Sequence, residues 1–384
     1  MITIGIDAHN LENERTGVGR YLENLLRCFA NDKQLQKKVH FRLYFKGKVP
    51  RDDFLRAPLF SLISLQALPR PSFSLYFLFS LPLRAFRDRV NVMFFPGYMV
   101  PPLYRGKSVL VLHDIAFERF PELFSLRYRL PYRVLGRRGA KMSKAICTVS
   151  EFSKKEIESV YQIPSSKIHV TPLGVDKRFH RADDNEIERV KRAFHIKRDY
   201  IFFLGQIFQR RHVAEAMRAF EMIADDFPDV QFLVVGQNRT QPFVPIDEIA
   251  DEINKNLGRK AIVRRTYVSS EDLVPLYSGA KAGVYLSDYE GFGLPPLEFL
   301  ACGTPVLAPD TSSLAQTLQG MQVVIDDPAD VNEIAKKLAS TLKDDKMHQR
   351  IASEGPRYAA TFRWEHCARK TLDVLMSVAL QRKP

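Results

Sequence analysis

The sequence lacks the features that mark several large classes of protein. Its 384 residues include only four cysteines, which are widely separated and form no C-x-x-C pair, so neither a disulfide framework nor a zinc site is expected. A helix that spans a membrane needs about 18 consecutive apolar residues, and no apolar run in the sequence is that long. The most apolar stretch, 75–86, is short and contains Pro82. The beginning of the chain also lacks a basic leader and a cleavage site, so we expect a cytoplasmic protein.

The composition favours a folded chain of two domains. Hydrophobic residues make up 45% of the sequence, enough for full-sized cores, and 384 residues correspond to two domains of ordinary size. The net charge of +13 is uneven, because residues 1–180 hold 30 Lys and Arg against 15 Asp and Glu, whereas residues 181–384 hold 27 against 29. A basic half beside a nearly neutral half indicates an anionic surface or ligand.

Short β-branched runs alternate with longer amphipathic stretches along the whole chain, which is typical of parallel sheets covered by helices. The predicted strands are 2–7, 40–45, 92–95, 109–113, 145–149 and 168–171 in the first half, and 201–204, 232–235, 261–263, 283–286, 305–308 and 323–325 in the second. Strand signals stop in the polar segment 176–185, where we place the hinge. Because ligands of such sheets bind beyond the carboxyl ends of the strands, the residues after each strand are the candidates for a site.

The richest segment follows the predicted strand 283–286. It reads Ser-Asp-Tyr-Glu-Gly-Phe-Gly-Leu-Pro-Pro-Leu-Glu over 287–298, with prolines at a helix start, and free N–H groups there would hold a phosphate. Glu290 lies in the loop and Glu298 about one turn into the helix, where their carboxylates could accept hydrogen bonds from hydroxyls. The plain alternative is a loop carboxylate and a solvated helix residue.

Three further segments follow strands. Gly205 and the pair Arg210 and Arg211 come after strand 201–204, and a cation at a helix start is disfavoured unless an anion lies nearby. We expect Thr-Gly-Val-Gly over 16–19 to form a loop that offers backbone amides without side-chain bulk, but Leu22 replaces the third glycine of a dinucleotide fingerprint. His113 ends an apolar strand and should point away from the core.

The spacing of the two glutamates, followed by Ala-Cys-Gly-Thr-Pro-Val over 301–306, resembles the signature of family 4 retaining glycosyltransferases of the GT-B fold. Segments 5–8, 16–21, 113–114, 148–153, 171–176 and 362–365 resemble that family in the expected order, and only about 46–89 lies outside the likeness. The resemblance implies an α/β protein of two doubly wound, Rossmann-like domains facing a cleft. We expect an acceptor domain at 1–178, a nucleotide-sugar domain at 179–358 and a terminal helix within 359–384 that crosses back to the first domain.

The resemblance also implies roles for individual residues. Arg210 and Arg211 would grip the donor diphosphate, with Arg211 in place of the family's usual lysine and His212 where asparagine is common. His113 would touch the transferred sugar, Glu290 would hold its hydroxyls, and Glu298 would hold the ribose. The remaining donor-binding positions are Gly17, Gly19, Gly205 and the backbone amides of Phe292, Gly293 and Leu294.

The implied activity is that of a hexosyltransferase of EC class 2.4. Transfer would retain configuration by front-face attack, with a double displacement through a carboxylate as the alternative. No D-x-D triplet follows a strand end, so we expect neither a metal nor a cofactor. Among donors, GDP-mannose is favoured because the N-terminal pattern resembles bacterial mannosyltransferases of polysaccharide and lipopolysaccharide synthesis, and UDP-sugars stay open.

Two features of the basic half indicate a membrane. Arg133, Arg137, Lys141 and Lys144 recur at helical spacing, and the aromatic stretch 73–83 is followed by Arg84, Arg87 and Arg89. Together they predict a peripheral contact with anionic lipid at the inner face of the cell membrane, suited to a lipid-linked or glycan acceptor. The plain alternative is a solvated helix face and a buried aromatic core.

Other classes of function remain as alternatives. The first is a protein that binds nucleic acid or another anionic surface through its basic half, although no zinc-finger spacing or basic dimerising helix is present and we expect no nucleic-acid partner. The second is a nucleotide-sugar epimerase or an inactive relative with the same fold.

Overall fold

The computed structural model describes residues 1–12, 15, 17–66 and 73–381 and divides into two units. The first unit contains Met1–Arg119, Leu126–Gly174 and Arg363–Pro384, and the second contains Phe120–Ser125 and Val175–Phe362. Each unit is built on its own parallel sheet, as β-branched runs between amphipathic helices require. Thr16, the first residue of the predicted glycine motif, lies outside the described residues.

The sheet of the first unit has seven strands in the order β3-β2-β1-β4-β5-β6-β7, all paired in parallel. The strands are β1 Ile2–Asp7, β2 Val39–Phe45, β3 Phe60–Ser64, β4 Val92–Phe95, β5 Ser108–Val111, β6 Ala145–Thr148 and β7 Ile168–Val170. The strand order reverses between β1 and β4, which is where open α/β sheets form a crevice.

The sheet of the second unit has six parallel strands in the order β10-β9-β8-β11-β12-β13, and its order reverses between β8 and β11. The strands are β8 Asp199–Leu204, β9 Val230–Val235, β10 Ile262–Arg265, β11 Ala282–Val284, β12 Val306–Pro309 and β13 Val323–Ile325. A continuous apolar core packs between this sheet and its helices, with Phe203, Phe220 and Phe232 among its members.

The helices follow the strands in the alternation that the sequence predicts. They are α1 Gly17–Asn31, α2 Phe73–Leu75, α3 Leu81–Arg87, α4 Ala116–Arg119, α5 Leu126–Met142, α6 Glu151–Tyr161, α7 Asp184–Ala193, α8 Val213–Ile223, α9 Ile246–Asn256, α10 Leu273–Gly279, α11 Leu294–Ala301, α12 Leu314–Leu318, α13 Val331–Lys343, α14 Asp345–Ala359 and α15 Trp364–Leu380. A π-helical turn, Tyr76–Ser80, joins α2 to α3. None of the helices in the described part of the chain has the length and apolar character that crossing a bilayer requires.

The last helix, α15, packs on the first unit although it follows the second in sequence. Cys367 donates its thiol hydrogen to the carbonyl oxygen of Thr171, and Tyr21 packs against Trp364. A Cβ added at Gly174 would lie 2.1 Å from the backbone nitrogen of Trp364, so only glycine permits the two chain segments to approach so closely there.

Every predicted strand is present in the structure, with ends displaced by up to two residues. Strand β3 was not predicted, because Phe60–Ser64 lies at the sheet edge and alternates between buried and exposed positions over only five residues. The loop expected over 16–19 is wrong for its described residues, since α1 already begins at Gly17. His113 lies two residues beyond the end of β5 rather than on it.

Candidate active site

The second unit brings Arg210, Arg211 and Glu290 together at the point where its strand order reverses. The arginines lie in a short turn after β8, and Glu290 lies in the loop after β11. Arg210 Nη1 donates to Glu290 Oε1 at 3.0 Å, and Arg211 Nε and Nη2 donate to the same oxygen at 3.0 and 2.8 Å. The hydroxyl of Ser287 lies 2.8 Å from that oxygen as well.

All of these contacts fall on one oxygen of the Glu290 carboxylate. Oε1 receives two guanidinium groups and the Ser287 hydroxyl, whereas none of these four donor atoms is bonded to Oε2; the hydroxyl of Tyr285 also hydrogen-bonds the carboxylate. The side chains are 9% to 12% exposed, so the carboxylate is fixed but still reachable. Oε2 is therefore the atom that could accept a hydrogen bond from a sugar hydroxyl, as the sequence predicts for Glu290.

The electrostatics of the cluster leave a positive charge. Burial raises the pKa of Glu290, but the charges of Arg211 and Arg210 outweigh it and hold that pKa at about 2. Burial likewise lowers the pKa of Arg211, yet Glu290 raises it above its usual value. With both guanidinium groups and the carboxylate ionised, the net charge of +1 suits the negative charge that develops on a departing diphosphate.

Arg210 is also held by atoms other than the carboxylate. Its Nη1 donates to Tyr289 O at 2.8 Å and to Ser287 Oγ at 3.0 Å, while its Nε is buried with no partner among the described residues. An unpaired buried donor is uncommon in proteins. The guanidinium is thus rigidly placed with hydrogen-bonding capacity left over.

Gly205 controls the space in which Arg211 lies. A Cβ at Gly205 would come within 2.7 Å of Arg211 Nη1, and the φ angle of +148° disfavours any other residue. Arg211 Nη1 donates to the carbonyl oxygen of Gln206 at 3.0 Å. The structure places Gly205 as a spacer that lets the guanidinium lie across the strand end.

His212 and Asp288 form a second ion pair beside the cluster, which sequence reasoning missed. His212 Nε2 lies 2.8 Å from Asp288 Oδ2. Burial lowers the pKa of His212, but the hydrogen bond and charge of Asp288 raise it above its usual value overall. The residue that departs from the family's usual asparagine therefore adds a charge-assisted contact next to Arg211.

The segment 291–294 leads into α11 as the sequence predicts. Leu294 is the first helical residue and Gly293 precedes it with a φ angle of +91°, where a Cβ would lie 2.4 Å from Leu314 Cδ2. The next two residues are prolines without an N–H group. The predicted amide donors of Phe292, Gly293 and Leu294 thus lie at the N-terminal end of this helix, where intrahelical acceptors are absent. The ring of Phe292 is buried against Phe362.

Glu298 is not a solvated helix residue, since it is only 8% exposed. Its Oε2 accepts a hydrogen bond of 2.6 Å from the hydroxyl of Tyr277 on α10. The Tyr277 ring packs edge-on against Phe299 and Phe202, and burial raises the pKa of its hydroxyl well above the usual value, so it stays protonated. Tyr277 therefore orients Glu298, and nothing in the sequence pattern indicated this partner.

In the first unit, His113 lies at the carboxyl edge of β5. Its Nε2 is 3.0 Å from the carbonyl oxygen of Pro96, and Tyr21 packs edge-on against its ring with centroids 4.8 Å apart. Because a carbonyl only accepts, Nε2 carries the proton and Nδ1 is left as an acceptor. Burial lowers the pKa of His113 despite the opposing effects of Pro96 and Asp114, so the neutral form is favoured.

Gly17 and Gly19 have different structural roles. Nothing lies within 4 Å of a Cβ built on Gly17, the first residue of α1, so close packing does not require a glycine there. A Cβ at Gly19 would lie 2.6 Å from the carbonyl oxygen of Asn10, and Gly19 is buried. Gly19 therefore permits close packing of α1 on the turn that follows β1, and its predicted donor-binding role stays a prediction.

The predicted cationic stripe is only partly present. Glu118, with a side chain 3% exposed, pairs with Arg137 at 2.8 Å and with Arg133 at 3.3 Å. Lys141 is exposed in the last turn of α5, but Lys144 lies beyond the helix end at Met142, so the expectation of one helical stripe through Lys144 is wrong. The helix instead exposes three apolar side chains four residues apart, Leu126, Leu130 and Val134.

The aromatic stretch after residue 72 is likewise divided. Tyr76, Phe77 and Leu81 are buried, while a second row of side chains is exposed, namely Phe73, Leu75, Phe79, Leu83 and Phe86. Of the cations that follow, Arg84 is paired with Asp88 at 2.9 Å. One face of the segment is therefore part of the buried core, and the other face is exposed.

In the part of the chain that the structure describes, no three His, Cys, Asp or Glu side chains lie close enough together to hold a metal ion. The cysteines form no disulfide within the described residues; Cys147, Cys302 and Cys367 are buried, and Cys28 is partly exposed. The polar groups at the second sheet edge are mainly cations and amides, which suit an anionic ligand rather than a metal.

Comparison with known proteins defines the class to which this fold and site belong. Residues 15–179 match the family model described as Glycosyltransferase Family 4, and residues 184–358 match the one described as Glycosyl transferases group 1. The chain belongs to the family 4 glycosyltransferases and has the GT-B fold.

One curated relative and two solved structures are similar to this chain. The chain is 26% identical to the O-antigen chain mannosyltransferase B of Escherichia coli over 378 residues, which cover 93% of this chain and 95% of that protein. Sucrose-phosphate synthase of Thermosynechococcus elongatus superposes with a TM-score of 0.77 at 17% identity, covering 98% of this chain and 99% of the other. Anabaena HepE, solved with UDP and glucose, superposes with a TM-score of 0.72 at 14% identity, covering 98% and 100%.

Proposed function

We propose that this glycosyltransferase is a retaining, metal-independent mannosyltransferase that uses GDP-mannose and a lipid-linked or polysaccharide acceptor in cell-surface glycan synthesis. The observation that carries the proposal is the buried cluster of Arg210, Arg211 and Glu290 with its residual positive charge. The choice of mannose is supported by relatives named as mannosyltransferases, including the O-antigen enzyme and an MMP alpha-(1->4)-mannosyltransferase of Mycolicibacterium hassiacum. UDP-sugars are the alternative donors.

The donor would be held by fixed groups of the second unit. The two guanidinium groups and the amides at the start of α11 would bind the diphosphate, in the role that a metal ion plays in other transferases. Glu298, oriented by Tyr277, would accept hydrogen bonds from the ribose hydroxyls. Glu290 Oε2 would accept one from the sugar.

The cluster favours direct front-face transfer over a double displacement. A carboxylate whose pKa is held at about 2 by two arginines is a weak nucleophile, and its Oε1 is already engaged by four donor atoms. In direct transfer, the acceptor hydroxyl attacks the anomeric carbon as the bond to the diphosphate breaks, and the departing phosphate takes the acceptor's proton. Neutral His113 would contact the sugar through Nδ1 without supplying a proton.

The enzyme would work in the cytoplasm, peripherally at the inner face of the membrane. The exposed apolar row Leu126, Leu130 and Val134 on α5 lies on a helix that also carries exposed cations, among them Arg127, Arg138 and Lys141. An apolar ridge flanked by cations binds an anionic bilayer by burial and by attraction together. Such a surface would bring the enzyme to a lipid-linked acceptor.

The donor site is tested by thermal unfolding with GDP, UDP, ADP and dTDP, first in EDTA and then with magnesium. A ligand at a hundred times its dissociation constant adds about 2.7 kcal/mol of stability. We expect GDP to stabilise the wild type in EDTA and Glu298→Gln to lose most of that effect.

The matched control is Glu252→Gln, an exposed glutamate of α9, which should behave as the wild type. Stabilisation only with magnesium would overturn metal independence. Stabilisation by UDP alone would show that the donor nucleotide carries uracil and not guanine. If no nucleoside diphosphate stabilises the wild type, the proposed donor site is wrong.

A further inference from the structure

A hydrogen-bonded network lies at the carboxyl end of β1, outside every residue given a role above. Asp7, the last residue of β1, is 3% exposed, and its Oδ1 accepts hydrogen bonds of 2.7 Å from both His9 Nδ1 and the hydroxyl of Tyr76. Tyr76 begins the π-helical turn, and its hydroxyl also lies 3.0 Å from Tyr44 O. Such turns are rare and occur frequently at functional sites.

The network fixes the orientation of the His9 ring and leaves one of its atoms available. Since the Asp7 carboxylate holds Nδ1 as a donor, Nε2 is the ring nitrogen left for another partner, and it has no hydrogen-bond partner among the described residues. The His9 side chain is 22% exposed, so solvent reaches it. An imidazole oriented by a buried carboxylate, with its second nitrogen open, is prepared to hydrogen-bond a ligand.

An aromatic ring lies beside this atom. The centroids of His9 and Phe73 are 5.2 Å apart, and Phe73 stacks on the buried Phe77 at 5.3 Å with an angle of 14° between the rings. Phe73 is 38% exposed although it is anchored in this way. A rigid, partly exposed ring beside a hydrogen-bonding group suits a molecule with an apolar face and polar edges.

The network lies where the strand order of the first sheet reverses, between β1 and β4. The turn that contains His9 contacts the loop after β4, because a Cβ at Gly97 would lie 3.7 Å from Asn10 Nδ2 and 3.3 Å from Val18 Cγ1. The corresponding position of the second sheet holds Arg211 and Glu290. Both reversal points therefore carry ordered polar side chains, as the topology of ligand sites predicts.

We propose that His9 and Phe73 form a monosaccharide subsite for the acceptor, with Nε2 bound to a sugar hydroxyl and the ring packed on the apolar face of the pyranose. The proposal rests on the proposed function. A neutral sugar fits better than a phosphate, because the two carboxylates near His9, those of Asp7 and Glu12, outnumber the one cation that acts on it, Lys46. Glu12 Oε1 accepts hydrogen bonds from the backbone of Lys46 and Gly47. Burial lowers the pKa of His9, but Asp7 and Glu12 raise it overall against the effect of Lys46.

Saturation-transfer NMR with octyl α-D-mannopyranoside and octyl β-D-glucopyranoside, in the presence of GDP, tests the subsite. We expect the wild type to bind at least one glycoside, and His9→Ala to weaken that binding about tenfold through loss of one hydrogen bond. Phe73→Ala should weaken glycoside binding comparably. Because the Phe73 side chain is partly exposed, we expect this variant to fold, so that a loss of binding reflects the loss of the ring. The matched control is His169→Ala, an exposed histidine of β7 in the same unit.

Stabilisation of each variant by GDP separates the two proposals. If GDP stabilises all of them equally but neither glycoside binds the wild type, the subsite is overturned while the proposed function stands. Equal glycoside binding by His9→Ala, Phe73→Ala and the wild type overturns it as well. If no nucleoside diphosphate stabilises the wild type, the proposed function fails, whatever the glycosides do.

Discussion

The carboxyl edges of the two sheets have the same topology and opposite chemistry. In the second unit, two buried arginines meet one glutamate and leave a net positive charge. In the first unit, one buried aspartate orients a histidine and a tyrosine beside an exposed ring. Topology thus fixes where a ligand can bind, whereas the side chains decide which ligand binds.

The net charge of the basic half differs in sign from the charge at its sheet edge. Residues 1–180 carry twice as many cations as anions, yet the edge of that unit's sheet holds Asp7 and Glu12. The cations of the first unit lie instead on surfaces such as α5, where Glu118 neutralises part of them. A net charge counted along the sequence therefore does not indicate the charge of the site.

The largest effect is expected from Glu290→Gln, which removes the anion from the second edge. Two buried guanidinium groups would lose their partner, and breaking a buried pair costs about 3–5 kcal/mol of stability. Transfer should fall by at least about a hundredfold, as for loss of a positioned transition-state group. Urea unfolding and initial rates measure both. Equal stability of this variant and Glu252→Gln would contradict the cluster's structural role.

The acid sensitivity of the fold should trace to the same carboxylate. The pKa of Glu290 is depressed from 4.5 to about 2 in the folded state, so its contribution is fully present above pH 4.5 and is lost as pH falls towards 2. That difference corresponds to about 3 kcal/mol. Urea midpoints between pH 2.5 and 6 should fall more steeply for the wild type than for Glu290→Gln. Parallel pH profiles would be inconsistent with the depressed pKa.

Arg211→Lys should have the next largest effect, because an ammonium cannot reproduce the two contacts to Glu290 and the one to Gln206. We expect kcat/KM to fall about tenfold to a hundredfold with charge preserved, as loss of one or two charge-assisted bonds implies. Arg218→Lys, an exposed position of α8, is the matched control. An unchanged kcat/KM would show that charge alone suffices at this edge.

Tyr277→Phe should act more weakly, by releasing Glu298. The donor KM is expected to rise about threefold to tenfold with little change in kcat, as loss of one hydrogen bond implies. Tyr200→Phe is a close control, since Tyr200 is also buried and donates to the carbonyl oxygen of Leu276. If the two variants lose stability alike and the donor KM rises in neither, Tyr277 is structural only.

The smallest effect is expected at the α5 surface of the first unit. Leu130→Glu should reduce retention on vesicles of phosphatidylglycerol and phosphatidylethanolamine several-fold, because it removes apolar burial and adds a repelled charge. Met222→Glu alters an equally exposed apolar residue of the second unit, 58% exposed as Leu130 is. If vesicles retain Leu130→Glu and Met222→Glu equally, the exposed surface of α5 does not bind the membrane.

Much of the fold could be predicted because strand signals are local. Runs such as 92–95 and 232–235 are buried on both faces and read as continuous apolar segments. Residues after strands were predicted as site residues for the same reason. Strand β3 was missed because it is a short strand at the sheet edge. The end of α5 before Lys144 was missed because the spacing of cations in the sequence does not show where a helix ends.

The contacts within the sites could not be predicted, because they join distant segments. Arg210 and Glu290 are 80 residues apart and Asp7 and Tyr76 are 69 apart, and no local pattern links either pair. Tyr76 lies in the segment 46–89, where the sequence shows no family motif, and Tyr277 lies in a short helix without a motif. Long-range hydrogen bonds follow only from the tertiary arrangement of the strands.

The most direct test of the account is transfer from GDP-α-D-mannose in EDTA, with the anomeric configuration of the product read by NMR on a lipid-linked glycan acceptor. We expect an α-mannoside to form without metal, and we expect Arg211→Ala to lose that product while it stays folded. A β-mannoside, or transfer that appears only when magnesium is added, would contradict it.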